Sequence, residues 1–103
     1  MTRTLATTLV LLVAGLAAGC GGRYAGASDR AYDIAAALVS ACNRKSEPAL
    51  AAVVEQIEQG RADSSLSTGE VAYLSEIVAT ARGGDWATAE ATARQVLKDQ
   101  VVD

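Results

Sequence analysis

The stretch STGEVAYLSEIVATARGGDWATAEATARQVL, residues 67–97, decides the fold class of this chain. Ser67 and Glu70 have the spacing of a capping box, in which each side chain bonds to the backbone amide of the other residue at the start of a helix. The glycine pair at 83–84 ends that helix, and Asp85 caps the next one. Apolar residues recur at helical spacing on both sides of the glycine pair: Val71, Leu74, Ile77, Val78 and Ala81, then Trp86, Ala89, Ala93, Val96 and Leu97. The stretch therefore predicts two antiparallel helices.

The residues before this hairpin predict two further helices. The apolar set of the first is Ala31, Ile34, Ala35, Leu38, Ala41 and Cys42, and that of the second is Leu50, Val53, Val54 and Ile57. Ser46 is the N-cap of the second helix and Pro48 lies in its first turn, while Gly60 is expected to end it before a polar loop at 61–66. Because loops this short place successive helices side by side, we expect residues 28–103 to form an all-α domain, a small antiparallel bundle of about four short helices.

The composition excludes most catalytic sites. The chain has 103 residues and no His, so it lacks the Ser-His-Asp and Cys-His arrangements and the usual catalytic zinc sites. Glu55 and Glu58 lie one turn apart on the polar side of their helix, where a solvated face is expected instead of an acid/base pair. We therefore expect a protein that is not an enzyme and that has no cofactor or metal.

An apolar segment opens the chain. Arg3 precedes the run LATTLVLLVAGLAA at residues 5–18, an order typical of a secretory signal. At a rise of 1.5 Å per residue this run forms a helix of about 20 Å, shorter than the hydrocarbon core of about 30 Å. We predict a cleaved signal helix over residues 1–19. An uncleaved anchor and an ordinary secreted protein are the alternatives.

Residues 16–20, LAAGC, resemble the lipobox of bacterial lipoproteins, in which small residues precede an obligatory Cys. The resemblance implies cleavage between Gly19 and Cys20 and attachment of a diacylglyceryl group to the Cys20 sulfur. Two or more acyl chains hold a protein on a membrane where a single chain does not. The Gly-rich residues 20–27 then predict a lipidated Cys followed by a flexible tether.

The same resemblance implies a location in the cell envelope. Gly21 follows the lipidated Cys, whereas an Asp there commonly signals inner-membrane retention in Gram-negative lipoproteins. We therefore expect an exported, lipid-anchored protein, on the outer membrane facing the periplasm if the source is Gram-negative. A net charge of −3 is not typical of a nucleic-acid-binding domain, which needs a basic surface. The expected partners are the membrane, through the lipid anchor, and an envelope protein.

Cys42 is left without a disulfide partner if the Cys20 sulfur carries lipid. Its place in the first apolar stripe predicts a small buried core residue. An intermolecular or reactive thiol is the alternative.

The second helix of the 67–97 hairpin resembles part of a known repeat. The turn and second helix of a tetratricopeptide unit are matched by Gly84, Asp85, Trp86, Ala89, Ala93 and Leu97. The match covers about half of one unit, and proteins of that family bind peptides in a groove built from several consecutive units. We expect a generic helical hairpin with an aromatic plug at this place, and membership of the tetratricopeptide family is the alternative.

Residues 59–70 match the calcium loop of the EF-hand family only in part. Asp63 and Glu70 stand at the fifth and twelfth places, as that family requires. Gln59 replaces the first carboxylate, and Ser64 stands where the family needs Gly for its sharp turn. We expect a capped connection between helices at this place and no calcium site.

Two functions remain open from the sequence. The first is a non-enzymatic protein-interaction or structural module of the bacterial cell envelope, whose partner surface includes Ala36, Ala37, Ala51 and Ala52. The second is a carrier of a small apolar ligand in a cavity near Trp86, with Tyr73 and Cys42 as the other candidate core or pocket residues. The hydroxyls of Tyr24, Tyr32 and Tyr73 are expected at the surface.

Overall fold

The computed structural model describes residues 23–100. Four helices occur in this range: α1 (Asp29–Asn43), α2 (Glu47–Ala62), α3 (Thr68–Arg82) and α4 (Trp86–Lys98). No strand lies between residues 23 and 100, so the prediction of an all-α fold with four short helices is confirmed. The predicted signal segment at 1–19 and the predicted lipidation site Cys20 lie outside the described residues.

Each helix begins at a side chain that caps it. The capping residues are Ser28, Ser46, Ser67 and Asp85, and each accepts a hydrogen bond from the backbone amide three residues later at 3.1–3.2 Å. A capping oxygen satisfies one of the amides that the first turn of a helix leaves without a partner. The capping box predicted at Ser67 and Glu70 is present in full.

Hydrogen bonds between the helix ends fix the directions of the helices. The Glu70 carboxylate binds Ser28, so the starts of α1 and α3 lie together and these two helices run the same way. Gln100, just after α4, binds the backbone of Tyr24 and Ala27, just before α1. The end of α4 therefore lies beside the start of α1, and α4 runs antiparallel to it.

Helices α2 and α4 lie on opposite sides of the bundle. Helix α1 packs against each of the other three helices, most extensively against α4. Helix α3 packs against α4 and α2, whereas α2 and α4 make no contact with each other. The α1–α3 pair therefore separates α2 from α4.

The core contains aliphatic side chains and one Cys. Its buried members are Ala31, Ile34, Ala35, Leu38, Ala41, Cys42, Leu50, Val53, Ile57, Leu66, Leu74, Ile77, Val78, Ala81, Ala89, Ala93 and Val96. Helix α4 contributes two alanines and a valine to this set, and such small side chains allow it to approach α1 closely. Trp86 and Leu97, predicted as buried residues of α4, are only partly buried and pack at the margin of the core.

The predicted end of α2 at Gly60 is wrong. The helix continues to Ala62, and Leu66, predicted in a polar loop, is only 5% exposed and belongs to the core. A Cβ atom on Gly60 would lie 2.5 Å from Leu66 Cδ1 and 2.6 Å from Leu66 Cγ. Gly60 is therefore needed because the Leu66 side chain occupies the space beside it, and it does not end the helix.

The sequence predicts a flexible tether over residues 20–27, but the second half of this segment is bonded to the folded domain. The Tyr24 amide donates to Asp99 Oδ2 at 2.9 Å, and the Ala27 amide donates to Gln100 Oε1 at 2.9 Å. In return, Gln100 Nε2 donates to the Tyr24 carbonyl oxygen at 2.5 Å. We call residues 23–28 the strap, because hydrogen bonds hold them against the end of α4 and the start of α3.

Candidate functional site

The strap meets α3 at a polar junction centred on Glu70. Its carboxylate accepts the Ser28 amide at 2.7 Å, the Ser28 hydroxyl at 3.0 Å and the Ser67 amide at 2.9 Å. Glu70 is only 8% exposed and is the buried charged residue of the described part of the chain. One carboxylate thus links the first turns of α1 and α3.

The hydrogen bonds at this junction keep Glu70 ionised. Burial alone would raise the pKa of this carboxyl group, but the bonds from Ser28 and Ser67 outweigh burial and lower its pKa below the ordinary value. The capping box predicted the bond to Ser67. No spacing in the sequence pointed to Ser28, which lies 42 residues away. All three bonds to the carboxylate serve helix ends, which identifies Glu70 as a structural residue.

Beside this junction, Tyr24 of the strap packs on Tyr73 of α3. Their ring centroids are 4.8 Å apart with an interplanar angle of 62°, an edge-on arrangement. The Tyr73 hydroxyl is buried without a hydrogen-bond partner, so its predicted place at the surface is wrong. Burial, followed by the nearby Glu70 charge, raises the pKa of Tyr73. The Tyr32 side chain is 41% exposed, on the outside of α1.

Cys42 is a core residue of α1. It is 2% exposed and free, in the position that the apolar stripe predicts. Burial, with a smaller contribution from the Glu90 charge, raises the pKa of its thiol. A buried thiol with a raised pKa is a poor nucleophile. Its surroundings therefore favour a packing role in the core over the role of a reactive thiol.

An apolar cleft lies between α2 and α3. It has a volume of about 360 Å³ and is lined by Val54, Ile57, Glu58, Ser75, Val78, Ala79 and Arg82. Val54, Ile57 and Val78 supply its apolar surface, and Arg82 stands at its rim. We call it the α2–α3 cleft.

A shallower cleft follows the outer side of α4. It has a volume of about 440 Å³ and is lined by Arg23, Tyr24, Ala87, Thr88, Ala91, Thr92 and Gln95. None of these seven side chains is acidic. We call this surface the α4 face.

The structure does not bring Trp86 into either cleft. Trp86 is partly buried against the core at the first position of α4, and neither cleft includes it in its wall. Tyr73 and Cys42 are also absent from both walls. The three predicted pocket residues therefore share neither of these clefts.

The alanines predicted as a partner surface lie on two helices. Ala36, Ala51 and Ala52 are exposed, and Ala37 is partly buried against the core. Ala51 and Ala52 belong to α2, the helix that also forms one wall of the α2–α3 cleft.

Two kinds of feature are absent from residues 23–100, a metal-ligand cluster and a membrane-spanning helix. No group of three or more His, Cys, Asp or Glu side chains there could hold a metal ion. Gln59 of the EF-hand comparison belongs to α2, because that helix continues to Ala62. In the same range, no helix has the length and apolar character needed to cross a bilayer.

No protein-family model, curated protein or solved structure matches this chain.

Proposed function

We propose that this protein is a small lipoprotein, anchored through Cys20 and acting as a non-enzymatic helical interaction or structural module of the bacterial cell envelope. The observation that carries the proposal is the order of features in residues 1–20: a cation, an apolar run, small residues and a Cys. The expected location is the outer membrane facing the periplasm if the source is Gram-negative.

The chemistry of the described residues supports a role without catalysis. The one buried carboxylate, Glu70, uses its oxygens to hold two helix ends. The buried thiol of Cys42 has a raised pKa, and Glu55 and Glu58 are exposed on α2. A catalytic site needs polar groups that converge on one cavity, and the α2–α3 cleft is mainly apolar.

The α2–α3 cleft supports the interaction role. Valine and isoleucine side chains line a groove between two helices, and the exposed Ala51, three residues before Val54, lies on the same side of α2. An apolar groove between helices suits an apolar segment of a partner protein, whose side chains would leave water on binding. For the carrier function, Trp86 lines neither this cleft nor the α4 face.

Labelling with radioactive palmitate in a bacterial host tests the anchor. We expect the wild-type protein to incorporate label and to sediment with membranes, and Cys20→Ser to lose both properties. Cys42→Ser is the matched control and should keep both, because Cys42 is buried in the folded domain. Equal labelling of wild type and Cys20→Ser would contradict the proposal.

Photo-crosslinking in intact cells tests the interaction role. A photoreactive amino acid at Ala79, in the wall of the α2–α3 cleft, should yield a discrete adduct with one envelope protein. The same residue at Glu76, which is exposed on α3 but faces the strap and α4, should not. The same adducts from both positions, or none from Ala79, would contradict a partner in the cleft.

A further inference from the structure

The strap leaves very little chain between the proposed anchor and the folded domain. Tyr24 is the first of residues 23–100 whose backbone is bonded to the end of α4. A fully extended chain spans at most about 3.5 Å per residue, so Cys20 and Tyr24 lie within about 14 Å of each other. If residues 20–27 were a free tether ending at Ser28, the limit would be about 28 Å.

We propose that the strap orients the domain on the membrane, with the α4 face toward the lipid head groups and α2 on the side away from them. This inference rests on the proposed lipid anchor at Cys20. The chain enters the domain at the end of α4 and beside the α4 face, because Tyr24 is bonded to Asp99 and both Arg23 and Tyr24 form part of the wall of that face. Helix α2 lies across the α1–α3 pair from α4. The path from the α4 face to the outer side of α2 passes three layers of helices, each about 10 Å in diameter, so a tether of about 14 Å is too short for it.

The charges of the two faces favour the same orientation. The lining residues of the α4 face include the cation Arg23 and no acidic side chain, and the Asp99 carboxylate at its edge is bonded to Tyr24 and Gln95. The exposed charges of α4 itself are the cations Arg94 and Lys98. The exposed charges of α2 are three carboxylates, Glu47, Glu55 and Glu58, and the guanidinium of Arg61. Anionic lipid head groups attract cationic residues near the surface, and they repel carboxylates in the same way. An anionic bilayer is therefore the occupant that fits the α4 face.

This orientation leaves the α2–α3 cleft accessible to a partner. Val54, Ile57 and Glu58 of its wall belong to α2, on the side away from the proposed membrane surface. The strap would thus keep an interaction surface free while holding the domain close to the bilayer.

Quenching of a single Trp by lipids with a spin-labelled head group tests the orientation. The lipidated full-length protein is taken from membranes into vesicles of phosphatidylcholine and phosphatidylglycerol that contain the quencher. Two variants are compared in a Trp86→Phe background: Ala91→Trp on the α4 face and Ala52→Trp on α2. Both replace an exposed alanine of a helix, so they are matched. We expect several-fold stronger quenching of the Trp on α4.

Two controls assign the orientation to the strap. Insertion of about twenty Gly and Ser residues between Gly22 and Arg23 adds a coil of about 25 Å and should abolish the contrast between the two Trp positions. Tyr24→Ala combined with Gln100→Ala removes strap contacts and should reduce the contrast, with helix content checked by circular dichroism.

The outcomes separate this inference from the proposed anchor. Protein that carries no lipid and does not sediment with vesicles would overturn both proposals. Lipidated protein that sediments but shows equal quenching at the two positions, or stronger quenching on α2, would overturn the orientation alone. A difference in quenching between the two Trp positions that persists in both strap variants would also overturn the proposed orientation.

Discussion

Single residues hold this small bundle together where helix ends meet. The Glu70 carboxylate accepts three hydrogen bonds at 2.7–3.0 Å and thereby links the first turns of α1 and α3. Hydrogen bonds to a charged group contribute about 1.5–3 kcal/mol each to stability. Because these bonds favour the ionised carboxylate, they also make the stability of the fold depend on pH.

Substitution of Glu70 by Gln should lower the free energy of unfolding by about 2–4 kcal/mol at pH 7, because the single amide oxygen accepts these bonds more weakly than a carboxylate and the NH2 group accepts none. The pKa of Glu70 is lowered in the folded state, so its contribution is complete above the ordinary pKa of 4.5 and is lost as the pH falls through the folded value. The Gln variant should therefore lose less stability than wild type below about pH 4.5. Urea unfolding at a series of pH values measures both effects.

Glu76→Gln is the control for this prediction. Glu76 lies on the same helix but is exposed, so its substitution should change stability by less than about 0.5 kcal/mol. Equal stabilities of Glu70→Gln and Glu76→Gln at pH 7 would rule out the proposed role of the Ser28 and Ser67 bonds.

Gly60→Ala gives a second test at the scale of single residues, because two effects of this substitution change the free energy of unfolding in opposite directions. An alanine inside a helix is usually more favourable than glycine by about 0.5–1 kcal/mol. Here the added Cβ would lie 2.5 Å from Leu66 Cδ1, so we expect a loss of about 1–3 kcal/mol from overpacking. Thermal and urea unfolding both report this change.

Gly69→Ala is the matched glycine, because the nearest atom to its added Cβ would be Ser67 Oγ at 4.0 Å. That variant should be slightly stabilised. The double variant Gly60→Ala/Leu66→Ala should lose less stability than the sum of the losses in the two single variants, because the smaller side chain at position 66 makes room for the added Cβ. A stabilised Gly60→Ala would show instead that Leu66 moves aside at little cost.

At the scale of helices and turns, the sequence predicted most of the fold. Helical spacing of the apolar residues identified all four helices, and local capping motifs at Ser46, Ser67 and Asp85 marked three of their starts. These features depend on residues within one or two turns of each other, so a short stretch of sequence contains them.

The features that the sequence missed depend on distant residues or on packing. The strap bonds join residues more than 70 positions apart, and composition alone made this segment resemble a tether. Gly60 looked like a helix stop, because only the packed position of Leu66 reveals why a glycine is required. The α2–α3 cleft likewise appears only once the two helices are placed side by side.

The turns themselves contain two non-glycine residues with left-handed backbone. Lys45, after α1, has φ of 50°, and Ser64, after α2, has φ of 64°. The comparable position after α3 is Gly84, with φ of 94°. A left-handed conformation costs a residue with a Cβ about 1–2 kcal/mol, and glycine avoids that cost.

Lys45→Gly and Ser64→Gly should each raise the free energy of unfolding, by about 0.5–1 kcal/mol after allowance for the greater freedom of glycine in the unfolded chain. Gly84→Ala is the converse variant and should lose about 1 kcal/mol. No atom within 4 Å would crowd its Cβ, so this loss would be purely conformational. A stability loss in Lys45→Gly would contradict the assignment of backbone strain to that turn.

At the scale of the whole molecule, a short strap joins the proposed membrane anchor to the helical bundle. The strap bonds at Tyr24 and Ala27 fix where the N-terminal chain meets the domain. The α2–α3 cleft lies on the side of the bundle that α2 forms with α3. The proposed function requires that the chain before the strap be processed and lipidated at Cys20, so that step is its central claim.

Intact mass spectrometry of the protein from the membrane fraction of a bacterial host, wild type beside Cys20→Ser, tests this claim most directly. We predict a wild-type species that begins at Cys20, lacks residues 1–19 and is heavier than its peptide by a diacylglyceryl group, and no such species from the variant. An unmodified full-length wild-type chain in the membrane fraction would contradict the lipid anchor and would instead identify the N-terminal segment as an uncleaved anchor.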